Sequence, residues 1–150
     1  MKIITIIPAR GGSKEVPGKN IKLLNGKPLI CYSIESSLQS KLVNETYVTT
    51  DCENIKEASL KCGAKVIKRP YEISGDKASS ESALLHALNQ IDDKNNIDLV
   101  VFLQCTSPFR DNDVIDNAID ILLKDGSDSL FSGFLSHKFL WIKENNSINS

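Results

Sequence analysis

The chain has 150 residues, with 18 basic against 19 acidic side chains and a formal net charge of −1, which argues against a nucleic-acid protein working through bulk positive charge. At 41% hydrophobic and 25% charged residues it reads as one soluble globular domain, long enough to bury a core. No apolar run approaches the length needed to span a membrane.

Ile3, Ile4, Ile6 and Ile7 form a short β-branched run, as expected of a strand covered on both faces. Pro8 ends it, because proline cannot donate a ladder hydrogen bond. The loop that follows, Ala-Arg-Gly-Gly-Ser-Lys-Glu-Val-Pro-Gly-Lys-Asn over residues 9–20, combines Gly11, Gly12 and Gly18 with Arg10, Lys14 and Lys19. Glycines let backbone N–H groups approach a ligand closely and the cations add charge, so the loop suits a polyphosphate. A Gly/Lys surface turn has the same composition; position after a buried strand favours a ligand loop. Residues 10–27 hold five cations against Glu15 alone, a local excess that points the same way. Two familiar phosphate motifs are excluded. A Walker A loop has four residues between its glycine and Gly-Lys, then Ser or Thr, whereas Gly18-Lys19 is followed by Asn20; Gly11-Gly12 does not fit Gly-x-Gly-x-x-Gly.

Asn25-Gly26 signals a turn, and Pro28 suits the first position of a helix over residues 28–40 with Ile30, Ile34 and Leu38 inward. Residues 45–50 form a second strand ending at Asp51, which has two readings: cap of the next helix, or a residue near substrate or metal at a strand's carboxyl end. That helix turns Ile55, Ala58, Ser59 and Cys62 inward and stops at Gly63. Residues 64–68 form a third strand. After Arg69-Pro70 and a polar loop, Ser79 or Ser80 caps a helix over residues 81–93, with Leu84, Leu88 and Ile91 inward. Residues 98–104 are the most strand-like run, expected at the centre of a parallel sheet. Gln104 at its end either ties down the loop or reads a base with an amide that both donates and accepts. A helix over 112–124 and a strand over 129–134 complete the alternation. The pattern implies an α/β, Rossmann-like three-layer domain with a mainly parallel sheet.

The cysteines, Cys31, Cys52, Cys62 and Cys105, show no Cys-x-x-Cys pair and no zinc spacing. With no signal peptide before Pro8, free thiols in a reducing cytoplasm are expected. His137, near an aromatic pair, reads as packing.

Four stretches in this order resemble the sugar-acid cytidylyltransferases, in particular the N-acylneuraminate (sialic acid) branch: the strand with Ala-Arg-Gly-Gly-Ser-Lys and Lys-Asn, the Arg69 segment, the Ser-Ser pair at 79–80, and Gln-x-Thr-Ser-Pro at 104–108. The sequence departs from the family at Glu15, usually glycine, and at Cys105, commonly proline. The related deoxy-octulosonate branch places an acid for magnesium just after the glutamine, and this chain has none there. The resemblance implies a nucleotidyltransferase-type fold and transfer of CMP from CTP to a sialic-type nonulosonic acid, with legionaminic or pseudaminic acid, or a non-catalytic nucleotide-binding module, as alternatives. It implies Arg10, Lys14 and Lys19 as catalytic cations. Ala9, Arg10, Gly11, Gly12, Ser13, Asn20, Arg69, Ser80 and Gln104 are implied as nucleotide-binding residues. It further implies Mg2+ held by an Asp-x-Asp pair that would lie beyond residue 150, a domain truncated here at its C-terminus, and a homodimer formed through an arm beginning near residue 135.

Overall fold

The computed structural model describes residues 1–13, 16–75, 78–133, 142–144 and 147–149, the last two segments as backbone. Strands β1 (Ile3–Pro8), β4 (Glu45–Thr50), β5 (Lys65–Lys68) and β6 (Leu99–Phe102) form one sheet in the order β5-β4-β1-β6, with every neighbouring pair parallel. Helices α1 (Leu29–Gln39), α2 (Glu53–Lys61) and α3 (Ser80–Asn89) make the three crossovers, and α4 (Val114–Asp125) follows β6. Two short hairpins, β2 (Leu23–Leu24) with β3 (Lys27–Pro28) and β7 (Ile142–Glu144) with β8 (Ser147–Asn149), stand apart from it.

The isoleucine run divides by pleat. Ile3 and Ile7 join Ile30 and Ile34 of α1, Ile55 of α2 and Ile115 and Ile119 of α4 in one core. Ile4 and Ile6 point the other way, into a smaller core with Ala87 of α3 and Ile91. Alternation along a single strand thus builds three layers. Thr5 lies on the first face, paired in register with Thr46 of β4. The buried Ser37 hydroxyl of α1 reaches both, at 2.6 Å from Thr5 Oγ1 and 2.7 Å from Thr46 Oγ1. Asp116 of α4 accepts the Lys41 N–H at 3.0 Å and the Ser40 hydroxyl, tying α4 to the end of α1.

Local signals are realised closely. Asn25 (φ 50°) and Gly26 (φ 77°) form the β2–β3 turn, the left-handed pair that a two-residue hairpin requires. Pro28 precedes α1, whose first residue is Leu29. Ser79 caps α3 by accepting the Ser82 N–H at 3.1 Å, and Gly126 ends α4 at φ 63°.

Two expectations are corrected. Residues 129–133 form no strand, with Phe131 92% exposed, and Phe134 lies outside the described residues. Aromatic and β-branched residues make a strand only where they find a ladder and a surface to cover, and among the described residues β6 pairs with β1 alone. Nor are all four cysteines free: Cys31 and Cys62 are joined in a disulfide with Cα atoms 5.7 Å apart, within the usual reach. Their sequence separation of 31 hides a proximity created when α1 and α2 pack on the same sheet face. Cys52 and Cys105 are free. His137 and the start of the expected arm lie outside the described residues.

Candidate functional site: a cleft at the carboxyl ends of β1 and β6

From β1 the chain winds outward through β4 and β5, then returns to place β6 on the other side of β1. The strand order therefore reverses between β1 and β6, and such a switch point opens a crevice outside the carboxyl ends of the strands. A cleft of about 220 Å3 lies there, with Pro8 and Phe102 at the strand ends. Of the residues singled out from the sequence, Arg10, Ser13, Lys19, Asn20, Ser80 and Gln104 line it. They come from three separate stretches of chain: the loop over residues 9–20, the start of α3 and the residues just past β6. A larger groove of about 1320 Å3 follows the edge of β6 that is unpaired among the described residues, toward α4 and residues 128–133, but Arg10 and Lys19 of the glycine loop line the smaller cleft.

The loop is held from below. The Ala9 N–H donates to Thr49 O at 3.0 Å, continuing the β1–β4 ladder, and the Ala9 side chain is buried in the core. The Gly11 N–H donates to Asp51 Oδ1 at 2.9 Å. Both amides are thus paired within the protein. At Gly11 a Cβ would stand 2.8 Å from Cys52 Cβ, a separation no side chain tolerates, so glycine is required there by the crossing of β1 and β4 exits. At Gly12 the same construction meets nothing within 4 Å. Gly18, at φ 64°, starts a single 3-10 turn over Lys19–Ile21. Asn20 is only 8% exposed, and its Nδ2 donates to the Arg10 carbonyl at 3.1 Å, closing the loop on itself. Lys14 lies outside the described residues.

Asp51 is therefore no helix cap: the N-cap of α2 is Cys52, without a side-chain hydrogen bond. Arg69, at the exit of β5, donates its backbone N–H to Thr50 O at 2.8 Å. Its side chain is 6% exposed, with Nη2 3.9 Å from Asp51 Oδ1. Nε and Nη2 find no hydrogen-bond partner among the described residues. Burial lowers the guanidinium's pKa, the Asp51 carboxylate opposes that, and the charge of Arg10 adds to the lowering. Arg69 does not line the cleft itself but stands behind the loop with Asp51.

The Ser-Ser pair divides its work. Ser79 caps α3 and Ser80, the first helical residue, faces the cleft. Gln104, two residues past β6, is exposed, and its Oε1 lies 3.3 Å from the Thr106 hydroxyl. Arg110, which sequence reading missed, donates from Nη2 to the Gln104 carbonyl at 2.9 Å and from Nη1 to the Ser33 hydroxyl at 3.0 Å. The signal was a cation shortly after a strand-end glutamine, and its partner Ser33 is 77 residues away. Cys105 is buried, and burial pushes its thiol up to about 11.

Among the described residues no group of three or more His, Cys, Asp or Glu side chains is placed to hold a metal, and the Asp51 carboxylate is engaged with Gly11 and Arg69. The residues of this cleft do not fit a protein-held magnesium site. Nor is any helix among them long and apolar enough to cross a membrane.

A cytidylyltransferase family model matches residues 4–149. The chain belongs to the cytidylyltransferase family. It is 39% identical to N-acylneuraminate cytidylyltransferase A of Danio rerio over 93% of this chain and 32% of that protein. Pseudaminic acid cytidylyltransferase of Campylobacter jejuni is 38% identical over 99% of this chain and 66% of its own length. Among solved structures, CMP:2-keto-3-deoxy-manno-octonic acid synthetase complexed with CTP superposes with a TM-score of 0.71 at 27% identity, over 84% of this chain and 49% of that one. The chain thus spans about a third to two thirds of the curated relatives it matches. The parallel pairing and flanking helices follow the Rossmann-like architecture expected from the sequence, except that β6, expected at the centre of the sheet, is an edge strand among the described residues.

Proposed function

We propose that the chain is the nucleotide-binding portion of an enzyme that activates a sialic-type nonulosonic acid with CTP, giving the CMP-sugar and pyrophosphate. The observation that carries this reading is the cleft in which Arg10, Lys19, Asn20, Ser80 and Gln104 meet at the β1/β6 switch point, in a chain of the cytidylyltransferase family. Arg10 and Lys19, with Lys14 of the same loop, supply positive charge for a triphosphate; Gly12 supplies backbone approach. The paired amides of Ala9 and Gly11 shape the loop. Ser80 and Gln104 offer a hydroxyl and an amide for ribose and base, and Ser13 a further hydroxyl beside the phosphates. In the reaction the sugar's anomeric oxygen forms a bond to the α-phosphorus in line as the bond to the β-phosphate oxygen breaks. Positioning and neutralisation of charge on the leaving pyrophosphate lower the barrier. Magnesium is proposed to arrive on the phosphate oxygens, and the roles given to these side chains do not depend on it.

The sugar is assigned at class level. Relatives named for N-acylneuraminate, pseudaminic acid and N,N'-diacetyllegionaminic acid stand between 35% and 44% identity. We further propose a cytoplasmic homodimer for the full-length protein. CTP, the proposed substrate, is a cytoplasmic nucleotide, which supports that compartment.

The test is pyrophosphate release from CTP by the full-length protein with a panel of nonulosonic acids. Turnover with at least one acid supports the reading. CTP binding without turnover on any of them leaves a nucleotide-binding module, and absence of CTP binding overturns both.

A further inference from the structure

We propose that Asp51 is a positioning residue for the nucleotide site, setting the glycine loop through the hydrogen bond that it accepts from Gly11. The proposal rests on the nucleotide reading of the cleft. A carboxylate close to a triphosphate loop is unfavourable on charge alone, so its presence requires a compensating job. That job is visible in the contacts. Asp51 Oδ1 accepts the Gly11 N–H at 2.9 Å and lies 3.9 Å from Arg69 Nη2, so one oxygen is shared between the loop backbone and a buried cation.

The arrangement is imposed by the sheet. Pro8 and Thr49 are register partners, so the β1 and β4 exits leave side by side. At the crossing, Gly11 packs against Cys52 too tightly for any Cβ. Arg69, anchored by its N–H on Thr50 O, brings a second guanidinium under the influence of Arg10. With the Asp51 carboxylate in place, the Gly11 peptide is fixed before ligand arrives, and the loop need not be ordered on binding, a cost that preorganisation removes.

Two substitutions separate the parts. Asp51→Asn keeps an acceptor oxygen for Gly11 and removes the charge; Asp51→Ala removes both. In the full-length protein, CTP and cytidine affinities are titrated for wild type and both variants. Asp51→Ala is expected to weaken CTP at least tenfold while changing cytidine, which lacks phosphates, by less than threefold. Asp51→Asn is expected to bind CTP within threefold of wild type or more tightly, since a negative charge has left a site that receives a triphosphate. Equal losses for CTP and cytidine in Asp51→Ala would mean a merely structural role and overturn the proposal, as would CTP binding unchanged in that variant. Where Asp51→Ala does not fold, Asp51→Asn decides: recovery of CTP affinity supports the proposal and a tenfold loss overturns it. Wild type that binds no CTP overturns the nucleotide reading itself, a result distinct from any of these.

Discussion

Arg110 clamps the backbone of Gln104: its Nη2 donates to the Gln104 carbonyl at 2.9 Å while its Nη1 holds the Ser33 hydroxyl of α1 at 3.0 Å. The loop after β6 is thereby pinned to a helix that the same sheet supports, and the side chain of Gln104 is presented from a fixed backbone. Arg110→Ala should therefore reduce stability by about 1.5–2 kcal/mol, the lower part of the range for hydrogen bonds from a charged donor, because the side chain is half-buried. It should also blur the preference for CTP over UTP. Arg110→Lys should not restore either property, since an ammonium lacks the two-pronged fork. Urea unfolding and paired nucleotide titrations measure the two effects; a variant with wild-type stability and nucleotide preference removes the clamp.

Arg10→Ala and Lys19→Ala should each weaken CTP binding about tenfold or more, because a charge-assisted contact is worth roughly 1.5–3 kcal/mol. Both residues line the cleft and neither belongs to the apolar cores, so melting temperatures should move little. Isothermal titration beside thermal unfolding separates the two. CTP affinity unchanged in both variants rules out this loop as the phosphate site.

Base choice should follow Gln104 and Ser80. Cytosine presents an exocyclic amine next to ring-nitrogen and carbonyl acceptors, and uracil reverses part of that pattern, leaving groups unpaired at roughly 1–3 kcal/mol each. CTP should be preferred over UTP by about tenfold or more, purine nucleotides should bind more weakly still, and Gln104→Ala should narrow the gap. Titrating the three nucleotides against wild type and variant decides it, and equal affinities remove the basis for a cytidylyl pocket.

Thiol chemistry should report the Cys31–Cys62 disulfide. Denatured without reductant, the protein should show Cys52 and Cys105 reactive, with Cys31 and Cys62 added only after reduction. Closing this loop is worth about 3–4 kcal/mol in the chain-entropy account, so reductant should lower the unfolding midpoint. In the native state at pH 8 only Cys52 should alkylate, because burial holds the Cys105 thiol protonated up to about 11. The sign for stability follows. As pH rises beyond the ordinary thiol value the unfolded chain sheds a proton the folded chain retains, so stability falls until about pH 11. Peptide mapping after alkylation, with four reactive thiols in the denatured unreduced protein as the contrary outcome, checks the pairing.

What could be read from the sequence was local. The β-branched run at Ile3–Ile7, the Asn25-Gly26 turn and the Ser-Ser helix start are each governed by contacts within a few residues, and each appears as expected. Asp51 could be placed at the end of a strand but not given its partner, since Gly11 lies 40 residues away. Arg110 and Ser33, and Cys31 and Cys62, were hidden for the same reason: their proximity is a product of helices packing on a shared sheet face. Residues 129–133 show the converse, a strand-like composition that finds no neighbouring ladder among the described residues.

The hydroxyl cluster of Thr5, Ser37 and Thr46 bears on how the chain chooses one alignment over its competitors. A strand of isoleucines is nearly indifferent to sliding, because each face stays greasy whichever residue it shows. Thr5 breaks that degeneracy. Only when it stands opposite Thr46 do both hydroxyls meet Ser37. A shift of β1 by one residue would turn Thr5 to the opposite face and leave buried oxygens stranded, at roughly 1–3 kcal/mol apiece. Three small polar side chains thus act as an index mark for the sheet. Replacing all three by valine and alanine should yield a chain that still collapses but samples more than one strand alignment, visible as doubled amide resonances along β1.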